Sequence, residues 1–258
     1  MPEAKINGIQ LYYEEYGSGH PFILLHGLGG DHQMFDHEIE QLKAHYRVIA
    51  LDSRGHGKSE KVLQYTMEDH IQDVISLMDH LQIKKTNILG ASMGSYVAQG
   101  VAIAFPERVE KLILVVAKAF GKTSSTVRLL AEHFDEVKGL MQEEQMYALS
   151  KYIFHNLQAV GEWSQKLAVN VPVLTFEQQE AANRALENFV FRPELHKITA
   201  DTLVISGKYD GLNPPKDGKE VASLIQKAAF VEFEKSGHAP SVEEPKRYTE
   251  VINNFLRS

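Results

Sequence analysis

Three residues of this chain have the types and the placement to make a serine nucleophile. Ser92 stands in Gly90-Ala91-Ser92-Met93-Gly94, after the apolar run Thr86-Asn87-Ile88-Leu89 and before a helix-patterned segment that Pro106 stops. A Gly-x-Ser-x-Gly between a strand and a helix forces a sharp turn, with strained dihedrals at the serine and its hydroxyl pointing outward. A serine hydroxyl is barely nucleophilic near pH 7. It needs a base to take its proton, and the base needs a partner that holds its tautomer and offsets its charge. His238, in Ser236-Gly237-His238-Ala239-Pro240, is the candidate base, and Asp210, in Gly207-Lys208-Tyr209-Asp210-Gly211, is its candidate partner. Each follows an apolar run, Thr202-Leu203-Val204-Ile205-Ser206 for Asp210 and residues 229–233 for His238. Asp201 competes with Asp210, but it precedes its strand and so falls at the wrong end of a sheet. The chain order Ser, Asp, His belongs to one of the three serine-triad folds and not to the other two.

Acyl transfer also needs donors for an oxyanion. The backbone N–H of Met93, next after the serine at a helix N-terminus, is one. The second is expected from the loop His26-Gly27-Leu28-Gly29-Gly30, at Leu28, where glycines let backbone approach a substrate. Removing one such donor typically costs about 3 kcal/mol of transition-state stabilisation.

The elements that must position these residues follow a regular order. Asn7-Gly8 between apolar flanks predicts an opening hairpin. Phe22-Ile23-Leu24-Leu25, Arg47-Val48-Ile49-Ala50-Leu51, Thr86 to Leu89 and residues 112–117 read as buried strands. Between them residues 35–45 and 66–81 carry a helical period, the second opened by Thr66 and Asp69 in the manner of a capping box. Strands apolar on both faces, alternating with helices, are the sequence form of a mostly parallel sheet flanked by helices, an α/β architecture. After the sixth strand the alternation stops. Residues 120–197 read as successive helices with no strand signal, rich in aromatics (Phe134, Tyr147, Tyr152, Phe154, Trp163, Phe189, Phe191). The spacing predicts a core of 1–119 and 198–258 interrupted by a helical lid at 120–197. The lid aromatics are expected to be mostly core, with some lining an acyl or alcohol pocket.

Composition narrows the functional classes. The chain has 258 residues, 43% of them hydrophobic, and a formal charge of −7. A mildly acidic surface argues against nucleic acid as a partner. There is no cysteine, which excludes disulfides and thiolate metal sites and fits a reducing compartment. Residues 1–10 hold no apolar signal core, and no apolar run reaches the roughly 18 residues of a membrane span. A soluble cytoplasmic protein acting on a small-molecule substrate is expected, with the oligomeric state left open.

Together, the His26-Gly27-Leu28-Gly29 loop, the turn Asp52-Ser53-Arg54-Gly55-His56-Gly57-Lys58-Ser59, the Ser92 elbow, Asp210, and Gly237-His238 with Glu243-Glu244-Pro245 resemble an α/β-hydrolase fold enzyme with a helical lid, over the whole length. The branch most similar holds 3-oxoadipate enol-lactonases, small esterases, C–C bond hydrolases and cofactor-free haloperoxidases. The resemblance implies Ser92 as nucleophile, His238 as base, Asp210 as its orienter and Leu28 and Met93 as oxyanion donors. It implies hydrolysis of a carboxylic ester or lactone of small to medium size, with no cofactor. Gly27 departs from the serine that enol-lactonases commonly carry after the loop histidine. C–C cleavage or peracid formation on the same site, and a slow-turnover ligand receptor, are the rival readings.

Other polar residues carry blander expectations. His26 should brace its loop. Asp52, Arg54 and His56 should form a hydrogen-bonded turn rather than a relay. Lys118 could meet a substrate carboxylate, but the better expectation is a solvated loop lysine. The twelve histidines form no ligand spacing with a mechanism, so no metal is expected.

Overall fold

The computed structural model describes residues 3–168 and 173–258. Met1 and Pro2 of the first core segment, and 169–172 of the expected lid, lie outside the described residues. The opening hairpin forms where Asn7-Gly8 predicts it: β1 (Glu3–Ile6) and β2 (Ile9–Tyr16) pair antiparallel across Asn7 at φ 46° and Gly8 at φ 82°. Two successive positive φ angles give the turn whose twist matches that of the strands.

The alternation then runs β3 (His20–Leu25), α1 (Asp36–Leu42), β4 (Tyr46–Asp52), α2 (Met67–His80), β5 (Thr86–Ala91), α3 (Met93–Ala104) and β6 (Val109–Val115). The helix expected over 35–45 is shorter and is preceded by a 3₁₀ turn, His32–Phe35, which the Asp31 side chain caps through the Gln33 N–H. At α2 the capping box closes with Asp69 in place of the longer Glu: Thr66 N–H donates to Asp69 Oδ2 at 2.8 Å and Asp69 N–H to Thr66 Oγ1 at 3.3 Å. The strand expected over 112–117 ends at Val115. Val116 takes φ 50°, a strained angle for a β-branched residue, and turns the chain inward.

The insertion follows this sixth strand. It holds β7 (Phe120–Gly121), α4 (Ser125–Glu132), α5 (Phe134–Val137), α6 (Gln142–Ile153), α7 (Leu157–Ala168), α8 (Phe176–Ala185) and β8 (Phe189–Val190). The sequence carries no strand signal here, yet β7 and β8 pair antiparallel. Strands of two residues are too short to show a period. The aromatics also divide differently from the expectation: Phe134 is 63% and Tyr147 84% exposed, whereas Phe189 is buried and stacks on Tyr96. The core resumes with β9 (Asp201–Gly207), α9 (Pro215–Leu224), β10 (Ala228–Phe233), α10 (Pro240–Glu243) and α11 (Pro245–Arg257).

The eight long strands form one sheet in the order β1-β2-β4-β3-β5-β6-β9-β10, parallel from β4 to β10, with β2 antiparallel to both neighbours. The pleat divides the core. Ile23, Leu25, Ile49 and Leu51 face α2, α3 and α9, while Phe22, Leu24, Val48 and Ala50 face α1 and α11. Both faces are therefore dry, which is why these strands read as unbroken apolar runs. Among the described residues no helix is long and apolar enough to cross a membrane.

Candidate active site

The sheet register aligns the strand ends that matter. Leu25 lies beside Gly90, Gly90 beside Leu114, Val115 beside Ile205, and Gly207 beside Phe233. The loops that follow β3, β5, β6, β9 and β10 therefore leave the sheet at one edge, the edge where open α/β sheets bind ligands.

At the end of β5 the elbow is built by close packing. A Cβ on Gly94 would fall on the carbonyl oxygen of Leu25, and one on Gly90 on the carbonyl of Gly94. Neither position accepts a side chain. Between them Ser92 adopts φ 51°, ψ −116°, a conformation costing about 1–3 kcal/mol that the surroundings must hold. They do so through Ser92 N–H to Val115 O at 2.9 Å and Ser95 Oγ–H to Ser92 O at 2.6 Å.

His238 lies between the other two sequence-derived residues. Its Nδ1 is 2.7 Å from Asp210 Oδ2 and its Nε2 is 2.9 Å from Ser92 Oγ. A carboxylate only accepts, so Nδ1 carries the hydrogen and Nε2 keeps a lone pair for the serine proton. Asp210 is buried, and its second oxygen accepts the N–H of Leu212 at 2.8 Å and of Asn213 at 2.9 Å. Asp201 opens β9 at the opposite edge, exposed and near Lys227.

Met93 is the first residue of α3, where the helix leaves its N–H groups unpaired internally. The loop bearing Leu28 lies against the serine: a Cβ on Gly27 would sit 3.5 Å from Ser92 Cβ, and Gly29 takes φ 75°. Gly30 N–H turns the loop by donating to Gly27 O at 3.1 Å. His26 braces it from below, with Nδ1–H to Gly27 O at 2.7 Å and Nε2 accepting the Ser53 N–H at 3.0 Å. Full burial lowers the His26 pKa, so the ring stays neutral in these two roles.

The Asp52 turn is scaffolding for the same loop. Asp52 accepts from His32 N–H at 2.8 Å, His32 Nδ1–H at 2.7 Å and Lys58 N–H at 2.8 Å. Burial opposes charge on His32, but Asp52 outweighs it and raises the pKa. Arg54 holds Asp73 through two bonds of 2.5 and 2.6 Å. Among the described residues none of Asp52, Arg54 and His56 hydrogen-bonds to Ser92 or His238. Asp31, His32 and Asp52 bring potential ligand atoms within 4.8 Å of one another. Those oxygens already accept the N–H groups of His32, Gln33 and Lys58, so the cluster is a hydrogen-bonded brace.

Lys118 departs from expectation. It is buried rather than solvated, because the kink at Val116 points the chain under α4. Its Nζ donates to Ser125 Oγ at 2.9 Å and lies 5.4 Å from the centroid of Tyr96 and 5.8 Å from that of Phe189. Burial, reinforced by Arg128, lowers it to about 8. Ser125 Oγ–H donates onward to Asn213 Oδ1 at 2.7 Å, and Asn213 Nδ2 donates to Tyr96 OH at 2.6 Å and Val116 O at 2.5 Å. The Tyr96 phenol also meets the Ser92 hydroxyl. Sequence reasoning missed Tyr96 and Asn213. An Asx turn at Asp210 was the one local signal for the second.

A cavity of about 350 Å³ opens between α1, α7 and α10, lined among others by Met34, Glu38, Trp163, Val242 and Pro245. Met34 separates it from the loop of Gly27, since its Cε would lie 3.7 Å from a Cβ there.

A family model described as the α/β hydrolase fold matches residues 20–245. The chain is 27% identical to 3-oxoadipate enol-lactonase 1 of Acinetobacter baylyi, over 92% of this chain and 88% of the relative. It is 29% identical to a 2-hydroxy-6-oxononadienedioate/2-hydroxy-6-oxononatrienedioate hydrolase of Paraburkholderia xenovorans, over 96% and 91%. The crystal structure of the enol-lactonase from Burkholderia xenovorans LB400 superposes with a TM-score of 0.85 at 29% identity, covering 100% of both chains.

Proposed function

Because the chain belongs to the α/β-hydrolase fold family and is a hydrolase of that family, we propose that it cleaves carboxylic esters or lactones of small to medium size through Ser92, His238 and Asp210. The observation that carries this reading is the pair of contacts at His238, 2.7 Å to Asp210 and 2.9 Å to Ser92. The enol-lactonases among the relatives support the substrate class.

In the proposed reaction Ser92 Oγ attacks the carbonyl carbon as its proton passes to His238 Nε2. Asp210 accepts the Nδ1–H and stabilises the imidazolium. The N–H groups of Leu28 and Met93 receive the oxyanion. As the tetrahedral intermediate collapses, the leaving alkoxide takes the proton from Nε2 and an acyl-enzyme remains. Water then repeats the sequence: its proton goes to Nε2, its oxygen to the acyl carbon, and Ser92 leaves with the returned proton. The helices of 120–197 serve as a lid.

A second reading, cleavage of a carbon–carbon bond beside a carbonyl, draws on the similarity to the oxononadienedioate hydrolase. Turnover of p-nitrophenyl acetate and butyrate tests the first. Ser92→Ala should abolish it while circular dichroism stays native, and undiminished turnover would overturn the mechanism. A dienoic ketone cleaved faster than any ester or lactone in a panel would move the assignment to the second reading.

A further inference from the structure

Glu243 is buried and, among the described residues, forms no salt bridge; the nearby Arg247 pairs with Glu244 instead. Its carboxylate instead accepts four backbone amides. Oε1 takes Gly237 N–H at 2.8 Å and Ala239 N–H at 3.2 Å, the residues on either side of His238. Oε2 takes His155 N–H at 2.7 Å and Asn156 N–H at 2.8 Å, at the junction between α6 and α7. The amide between the first pair, His238 N–H, donates to Ile153 O at 2.8 Å, again in the insertion. Beside the acid, Gly211 N–H donates to Tyr152 O at 2.9 Å. Contact is close enough that a Cβ on Gly237 would fall on Ile153 O and one on Gly211 on Tyr152 O.

We propose that Glu243 is a positioning residue that joins the insertion to the base: its carboxylate ties the backbone on both sides of His238 to the α6–α7 junction, so the two move as one body. The inference rests on His238 acting as base. An ionised carboxylate has two oxygens that only accept, and hydrogen bonds to an anion are roughly twice as strong as neutral ones. Four donors from two segments therefore converge on one charge. A glutamine there can accept at one end only, and its NH₂ would face an amide pair that also donates. The tie between the two segments is then broken, and both gain freedom together. Because His238 Nε2 has to stay on Ser92 Oγ, loosening of residues 237–239 displaces the imidazole from the serine, and a misplacement near 1 Å can cost about 100-fold.

The test combines Glu243→Gln with hydrogen exchange. Expected are a kcat on p-nitrophenyl butyrate lower by about 10- to 100-fold, a KM nearly unchanged, and faster amide exchange in peptides covering 153–157 and 236–240 together. A kcat per folded molecule within about twofold of the parent, or faster exchange in only one of the two peptides, would overturn the proposal; the twofold bound is about 0.4 kcal/mol. If Glu243→Gln does not fold, the unaltered protein carries the test. Phosphonylation of Ser92 by a p-nitrophenyl phosphonate should slow exchange in both peptides by the same factor, and independent responses would refute the coupling. Should Ser92→Ala retain full activity, the assignment of His238 falls, while the linked exchange of the two segments is still read separately.

Discussion

Replacing Lys118 with Met should make the protein more stable at neutral pH, although it deletes a hydrogen bond. Lys118 holds its charge among the Tyr96 and Phe189 rings, with Ser125 Oγ as its hydrogen-bond acceptor, Arg128 repelling it and Asp217 attracting it. Lowering a lysine from 10.5 to about 8 corresponds to about 3 kcal/mol of disfavoured charge. Below pH 8 both the folded and the unfolded chain carry this proton, and the folded state bears the full cost. Between about 8 and 10.5 the folded state loses the proton first, the unfolded chain binds more protons, and stability rises with pH. Methionine has nearly the same length and no charge. Deleting the bond to Ser125 gives back about 1 kcal/mol, and Ser125 keeps Asn213 as its acceptor. The variant should therefore gain about 2 kcal/mol at pH 7 and lose that advantage by pH 10.5. Urea unfolding at a series of pH values measures it, and all other titrating groups cancel in the difference. A variant less stable than the parent at pH 7, or a difference that stays flat up to pH 10.5, refutes the reasoning.

Burial raises Glu38 to about 7, against its hydrogen bond with Tyr248. A raised carboxyl contributes full stability below 4.5 and loses it as pH climbs through about 7, so Glu38→Gln should be more stable by about 3 kcal/mol above that range and equal below it. Thermal melts at pH 4.5 and 8 check this. Gly94→Ala drives a methyl onto the Leu25 carbonyl, and should cost at least about 2 kcal/mol along with most of the esterase activity; a melting point unchanged from the parent would contradict the packing at the elbow.

Much of the sheet edge was legible because the apolar runs before His26, Ser92 and Asp210 read as buried parallel strands, with the partly buried edge strand before His238 beside them, and parallel strands deliver their following loops to one side. The two glycines of the elbow and Asn7-Gly8 were legible for a similar reason, since each demands one backbone geometry. What escaped was decided by distant partners. Whether Lys118 meets solvent depends on the angle at Val116 and on the position of α4. The exposure of Phe134 and Tyr147 depends on how short helices pack, for which a local period is a poor guide. Glu243 carries no local sign of its four amides, two of which come from residues 87 and 88 positions away.

The pairing of Phe120 with Val190 and of Gly121 with Phe189 has an evolutionary reading. The chain leaves the core and re-enters it through adjacent strands, so everything between them hangs from a two-strand stem. An insertion of another length or helix count could be grafted onto that stem with no break in the eight-stranded sheet. The grafted segment would still have to present backbone to Gly211, His238 and Glu243, as Tyr152, Ile153, His155 and Asn156 do here. Exchange at the stem is topologically free, and the loops of Gly211 and His238 set the condition a replacement has to meet.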